Sequence, residues 1–151
     1  MSHRGGIADV VKVLDFGLVK ELDRADGTIT QTDVVAGTPA FLSPESISDP
    51  DAVGPATDLY ALGAVAHFLL TGEHVFTGAT MVQICSHHLH RQPPTVEEHG
   101  GMAISAELQG LITQCLAKTP EERPASARAL RRDLGAVPEA GSWTEEDAER
   151  W

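Results

Sequence analysis

The chain has 151 residues, 42% of them hydrophobic and 22% charged. That balance fits an ordinary soluble domain, long enough to bury one real core. The formal net charge of -11 argues against nucleic acid or an anionic membrane surface as a partner. Two cysteines, Cys85 and Cys115, lie in helix-like segments and read as reduced small hydrophobes of a cytoplasmic protein. The start, Met1-Ser2-His3-Arg4-Gly5-Gly6, has no apolar run behind its basic residue and does not read as a signal peptide. The most apolar stretch, Leu59 to Leu70, is interrupted by His67 and is too short to span a bilayer.

Gly5-Gly6 predicts a turn. The run Val10-Val11-Lys12-Val13-Leu14 predicts a strand, and Leu18-Val19-Lys20-Glu21-Leu22 a second short one. Residues 23–38 are rich in Asp, Thr, Gln and Gly and follow neither helical nor strand periodicity. They predict a long surface loop, a kind of segment that is usually functional or mobile. Ser43-Pro44-Glu45 then offers an N-cap, a proline at the first helical position and an acid in the first turn. The short helix they open ends at Asp49-Pro50-Asp51. Thr57-Asp58 caps an apolar helix over 58–71, stopped by Gly72. A helix over 78–91 sets Met81, Ile84, Cys85 and Leu89 on one face, and Gln92-Pro93-Pro94 closes it.

From Ser105 to about Lys118, residues Leu108, Leu111, Ile112, Cys115 and Leu116 recur at i, i+3, i+4, i+7 and i+8, the spacing of a half-buried helix. Ser126 begins a last core helix running to about Leu134, and Ser142-Trp143-Thr144-Glu145 has the form of a capping box. Five acids against one base, Arg150, place -4 of the charge in the last thirteen residues, which reads as a solvated tail.

Four stretches carry chemistry. In Asp15-Phe16-Gly17 an apolar run delivers a carboxylate to a loop, a ring that can pack, and a glycine that permits a sharp departure. A carboxylate oxygen suits a hard cation; by itself the triplet is equally a strand-terminal Asp capping a turn. Twenty residues separate Gly17 from Thr38, which lies in Gly37-Thr38-Pro39-Ala40-Phe41-Leu42-Ser43-Pro44-Glu45. Asp58-Leu59-Tyr60-Ala61-Leu62-Gly63 and Thr119-Pro120-Glu121-Glu122-Arg123-Pro124 follow.

In this order the four resemble the activation segment and C-terminal lobe of a bacterial eukaryotic-like serine/threonine protein kinase. The resemblance covers nearly everything from residue 7 to 136. It implies the α+β protein-kinase-like fold, of which this chain holds mainly the α-helical C-lobe behind a short β-region. A partial kinase domain would span 1–136, and 137–151 would be an acidic tail opening a further helix.

The resemblance also assigns roles. Asp15, with Phe16 and Gly17, would ligate the magnesium that bridges the phosphates of ATP. Thr38 would hydrogen-bond the catalytic groups and favour hydroxyl substrates. Glu45 would form a buried ion pair with Arg123. Asp58 would hold the backbone of the catalytic loop, and Gly63 would let another segment pack closely. Ser43 stands where the family usually has alanine. Thr28, Thr30 and Thr32 would be phosphorylation sites, the added charge ordering their loop through arginine pairing. The implied activity is transfer of the ATP γ-phosphate to serine or threonine of protein substrates, with ATP and Mg2+ as cofactors.

Only fourteen residues precede Asp15. A glycine-rich loop, a strand lysine with its glutamate partner, a catalytic-loop aspartate and a second metal ligand do not fit into them. The resemblance is therefore to the second half of a kinase domain, truncated on its N-terminal side. The 151 residues alone are expected to be inactive, since a positioned base by itself supplies about 10²–10⁴ in rate. The alternative is a non-catalytic remnant serving as a protein-binding module, which would have no need of Asp15. Without the family's first half, the helix over 58–71 would expose Leu62, Val65, Phe68 and Leu69 and favour self-association. His87, His88 and His90 share no face at i, i+4 spacing and do not read as a metal site.

Overall fold

The computed structural model describes residues 2–4, 7–10, 39–142 and 144–150. Asp15, Phe16, Gly17, Thr28, Thr30, Thr32 and Thr38 lie outside the described residues, as do the strand expected over 18–22 and the loop expected over 23–38. The chain divides into two compact units, Gly37–Ala140 and Met1–Ala36 with Gly141–Trp151.

Among the described residues of the unit Gly37–Ala140, every regular element is a helix or a 3₁₀ turn, joined by irregular segments. A single 3₁₀ turn, Pro39–Phe41, leads into α1 (Pro44–Ser48). Ser43 is its N-cap, the hydroxyl accepting from the Ser46 N–H at 3.2 Å, and Pro44 takes the first helical position. Asp49 ends the helix and caps the next 3₁₀ turn, Pro50–Ala52. The long helix α2 (Pro55–Thr71) begins three residues before the expected position, because Gly54 and Pro55 form its entry. Thr57 sits inside the first turn, where its hydroxyl accepts from the Gly54 N–H at 3.2 Å. Gly72 terminates α2 in the left-handed conformation, φ 75°, which a Cβ would disfavour.

Helices α3 (Met81–His90), α4 (Ala106–Cys115) and α5 (Ala127–Leu134) each start on a hydroxyl cap, from Thr80, Ser105 and Ser126 respectively. The face expected for α3 is the one that packs inward, with Ile84, Cys85 and Leu89 half-buried. Met81 is 49% exposed, and the fully buried side chain of this helix is His88. His88 has a phenol partner in Tyr60 and an aromatic edge in Phe76 waiting for it, whereas Met81 begins the helix at the surface. Helix α4 stops at Cys115, so Ala117 and Lys118 are free of helical geometry.

The core lies on two sides of α2. Tyr60 and Ala64 pack with Val75, Phe76, Val96, Ile112 and Leu116, while Leu59 packs with Cys115 and Leu130. Gly63 lies between these faces where α4 crosses. A Cβ built there would stand 2.6 Å from the Cβ of Cys115 and 3.3 Å from Leu116 Cγ. Leu62, Val65, Phe68 and Leu69 are exposed, Leu69 to 76%. Both cysteines are free, Cys115 buried and Cys85 half-buried. Glu139, expected in a solvated tail, instead accepts from Ser105 through both oxygens, from the N–H at 2.6 Å and the hydroxyl at 2.8 Å. It thereby fixes the start of α4.

In the other unit, β1 (Ser2–Arg4) and β2 (Ile7–Val10) pair antiparallel, Ser2 opposite Val10 and Arg4 opposite Ile7. A short helix α6 (Glu145–Arg150) lies against β2. Its capping box is two residues later than expected. The Thr144 hydroxyl donates to Asp147 at 2.6 Å, and the Asp147 N–H returns to Thr144 at 3.2 Å. Among the described residues no helix is long and apolar enough to cross a membrane.

The close approach at Gly63 makes a specific demand. Gly63→Ala is expected to force α2 and α4 apart and cost about 1–3 kcal/mol. The urea midpoint of the variant measures it; an unchanged midpoint would mean that the helices yield freely there.

Candidate functional site

The described part of the site is a loop and short helix, residues 39–48, anchored on the helical unit by one buried ion pair. The anchor starts from sequence chemistry at both ends. Ser43 and Pro44 start α1 so that Glu45 falls in its first turn and points inward, where it is 6% exposed. Far along the chain, Pro120 opens a 3₁₀ turn that folds the backbone back, and the Arg123 N–H donates to the Pro120 carbonyl at 3.2 Å. Arg123 then lies under α1, 3% exposed.

The two side chains meet fork to fork. Arg123 Nη1 donates to Glu45 Oε1 and Nη2 to Oε2, both at 2.7 Å, across 78 residues of sequence. The other donors of the guanidinium reach backbone carbonyls. Nε donates to Ala117 at 3.0 Å, Nη1 to Ala56 at 2.8 Å, and Nη2 more weakly to Lys118 at 3.4 Å. All five guanidinium N–H groups are therefore used, which is the condition for burying such a charge without a large penalty. The Thr57 hydroxyl donates to Glu45 Oε1 at 2.8 Å, adding α2 to the junction. Burial by itself would raise the Glu45 carboxyl. The hydrogen bonds from Arg123 and Thr57 and the arginine's charge outweigh it and hold the pKa at about 2.

A second polar chain continues from Arg123. Its guanidinium carbon lies 5.0 Å from the centre of the Tyr60 ring. The Tyr60 hydroxyl is 2.8 Å from His88 Nδ1, and both residues are fully buried. Burial pushes the Tyr60 phenol above its ordinary range, so it stays protonated. Burial, then the nearby Lys118 charge, hold His88 down at about 4 against the favourable carbonyl of Ala40. Lys118 Nζ donates to the His88 carbonyl at 2.8 Å and sits 4.6 Å over the Phe76 ring; burial lowers its pKa to about 8. This chain joins α2, α3, the end of α4 and the Pro39–Phe41 turn.

Glu45, Arg123 and Gly63 thus occupy the interior of the unit, while Asp58 lies in the first turn of α2 with its side chain exposed. An acid there faces the positive end of the helix dipole. Thr57, Tyr60, His88 and Lys118 complete the junction, and sequence reasoning did not assemble them. One signal was available: Met81, Ile84, Cys85 and His88 are spaced i, i+3, i+4 and i+7, which puts this histidine on the apolar face of its helix. Of its neighbours, His87 uses Nδ1 on the Thr77 carbonyl at 3.0 Å, and His90 is exposed.

Comparison with known proteins adds the following. Residues 3–134 match the family model described as protein kinase domain. The chain is 38% identical over 138 residues to the serine/threonine-protein kinase PknB of Mycobacterium tuberculosis, covering 87% of this chain and 22% of that protein. With PknB of Mycobacterium leprae the identity is 40% over 139 residues, again covering 87% of this chain and 22% of the relative. With the serine/threonine-protein kinase Pkn1 of Myxococcus xanthus it is 41% over 135 residues, covering 89% of this chain and 19% of the relative. The chain therefore spans about a fifth of the length of the curated relatives it matches.

Arg123→Ala strands the Glu45 carboxylate and is expected to cost about 3–5 kcal/mol. Thr57→Ala, which removes one bond to a charged group, should cost about 1.5–3 kcal/mol. Chemical denaturation of both variants checks the order. The pH dependence follows from the signs. His88 is depressed from 6.5 to about 4, so its contribution is complete above pH 6.5 and is lost as the pH falls toward 4. Glu45, depressed from 4.5 to about 2, loses its contribution over a lower span, from pH 4.5 toward 2. Melting temperatures measured across these spans should fall in both, and His88→Gln should flatten only the upper one.

Proposed function

This chain belongs to the protein kinase domain family, and on that footing we propose that the protein it forms part of transfers the γ-phosphate of ATP to serine or threonine of other proteins. The names of the relatives, all serine/threonine-protein kinases, support the reading. The observation that carries it is the buried Glu45–Arg123 pair. It fixes the loop that follows Thr38 onto the helical unit, as a platform against which a substrate hydroxyl can be held.

The likeness to the family suggests the parts. Thr38 meets the catalytic groups on the substrate side. Asp58, at the entry of α2, holds the backbone of the catalytic loop. Asp15, followed by Phe16 and Gly17, would offer one carboxylate to magnesium, a hard cation suited to oxygen ligands. When bound, that ion neutralises charge on the transferring phosphate. Thr28, Thr30 and Thr32 are the phosphate acceptors of the preceding loop.

The 151 residues by themselves do not carry out the transfer. They hold no glycine-rich phosphate loop, no lysine–glutamate clamp and no catalytic-loop aspartate. They also present Leu62, Val65, Phe68 and Leu69 to solvent along α2, which supports self-association of the chain through that face.

Incubation of the chain with ATP, Mg2+ and a protein substrate is expected to yield no phosphate incorporation above buffer. Incorporation that Asp15→Asn abolishes would overturn the inactivity of these residues alone. The same substitution in the longer protein is expected to remove its activity; full activity there would count against the role given to Asp15. Sedimentation should find the chain in multimers that Leu69→Asp disperses, and a monodisperse monomer would refute the apolar face as a contact.

A further inference from the structure

The side chain of His67 on α2 is fully buried. Its Nε2 lies 3.0 Å from Nδ1 of His99, a half-buried residue in the turn 95–101 between α3 and α4. The two rings meet edge to face, their centres 5.1 Å apart. The other ring nitrogen of His67, Nδ1, is buried without a hydrogen-bond partner. Among the described residues, the His67–His99 contact is the one hydrogen bond between this turn and α2. The turn is otherwise held by shape. Val96 is buried in the core, and its N–H donates to Gln109 Oε1 of α4 at 2.9 Å. Gly101 lies so close to α2 that a Cβ there would stand 3.0 Å from the Leu70 carbonyl oxygen.

Proton counting decides how the contact responds to acid. A hydrogen bond between two imidazole nitrogens holds one proton. In the neutral pair His67 can donate from Nε2, which leaves only a lone pair on its buried Nδ1. A proton added to His67 turns that Nδ1 into an N–H. A proton added to His99 makes its Nδ1 the donor, and His67 must then carry its own proton on Nδ1. Every bonded arrangement of the charged pair therefore buries an N–H that has no acceptor, which is a costly group. Without that rearrangement two N–H groups face each other.

The surroundings do not offset this cost. Burial first, and His99 second, hold His67 below its ordinary pKa. One turn away on α2, Gly63, Ala64, Leu70 and Thr71 are uncharged, and the α4 side chain bonded to the turn, Gln109, is neutral. On the turn, Glu97 and Glu98 are exposed. The Glu98 carboxylate is taken by the N–H and hydroxyl of Thr95, at 2.7 and 3.0 Å. Those two bonds, and then the charge of His99, keep its pKa low. His99 is the ring of the pair that solvent protons reach.

We propose that the His67–His99 contact is an acid-sensitive latch, which holds the turn 95–101 against α2 at neutral pH and releases it when the pair takes up a proton. The sign follows from the lowered histidine. Its contribution is complete above pH 6.5 and is lost as the pH falls below that value. The latch is built wholly from this helical unit, and its test is independent of phosphate transfer.

The experiment is imidazole-nitrogen NMR and amide hydrogen exchange on the 151-residue chain at about pH 7.5 and about pH 5.5. At the higher pH His67 is expected as the Nε2–H tautomer. On acidification, after correction for intrinsic exchange, the Val96 and Gly101 amides should lose protection about tenfold. The Leu130 amide, bonded to the Ser126 carbonyl in α5, should keep its own. His99→Asn puts a carboxamide oxygen where Nδ1 accepted and removes the titrating ring, at a half-buried position outside the core. In that variant Val96 and Gly101 should stay protected at the lower pH. A His67 ring protonated on Nδ1 at the higher pH would overturn the proposal. Unchanged protection in the parent chain, equal loss at Leu130, or loss that persists in His99→Asn would overturn it too.

Discussion

One buried ion pair organises the unit Gly37–Ala140. Glu45 and Arg123 lie 78 residues apart and meet through two 2.7 Å hydrogen bonds in the interior. Taking both charges out of water is expensive, and the pair is tolerated only because every remaining donor of the arginine has an acceptor. That condition reaches far. The carbonyls of Ala117 and Lys118 must be free of helical bonds, and the end of α4 at Cys115 leaves them so. The turn at Pro120 must bring Arg123 back, and α2 must present the Ala56 carbonyl and the Thr57 hydroxyl at its first turn.

The aromatic and histidine contacts depend on the same geometry. Tyr60 can lie under the guanidinium only one turn after Thr57 on α2, and from there its hydroxyl reaches His88 on α3. His88 is thereby held neutral in the core, and its backbone carbonyl receives Lys118. The Tyr60 hydroxyl, His88 Nδ1 and the Lys118 ammonium are thus joined in one connected set. A similar device acts on another side of α2, where His67 Nε2 and His99 Nδ1 stand 3.0 Å apart and tie the turn before α4 to the long helix. Burial first, and His99 second, hold the pKa of His67 below its ordinary value.

Much of this was legible in the residues. Ser43-Pro44-Glu45 read directly as cap, first position and inward acid because those roles are local and depend on backbone groups within four residues. The i, i+3, i+4 pattern placed α4, since Leu108, Ile112 and Cys115 all face inward or partly so. The burial of His88 was not legible for the opposite reason. His88 lies on the apolar face of its helix, and it is fully buried because a phenol and an aromatic edge are supplied by distant segments. The capping box of α6 was displaced because Ser142 and Thr144 are equally good caps, and only the fold chooses between them.

The order of motifs by itself determined the family and the helical character of most of the chain, because spacing along the sequence is what fixes which groups share a turn or a face. It determined that Gly63 sits where bulk is unwelcome only through resemblance; the 2.6 Å approach to Cys115 needs two helices in place. The tertiary structure decided which charges are buried, which histidine is core, that Glu139 clamps Ser105, and that α2, α4 and α5 leave a shallow apolar groove between them. These are outcomes of packing between segments remote in sequence, where volume and unpaired donors, and not local propensity, set the answer.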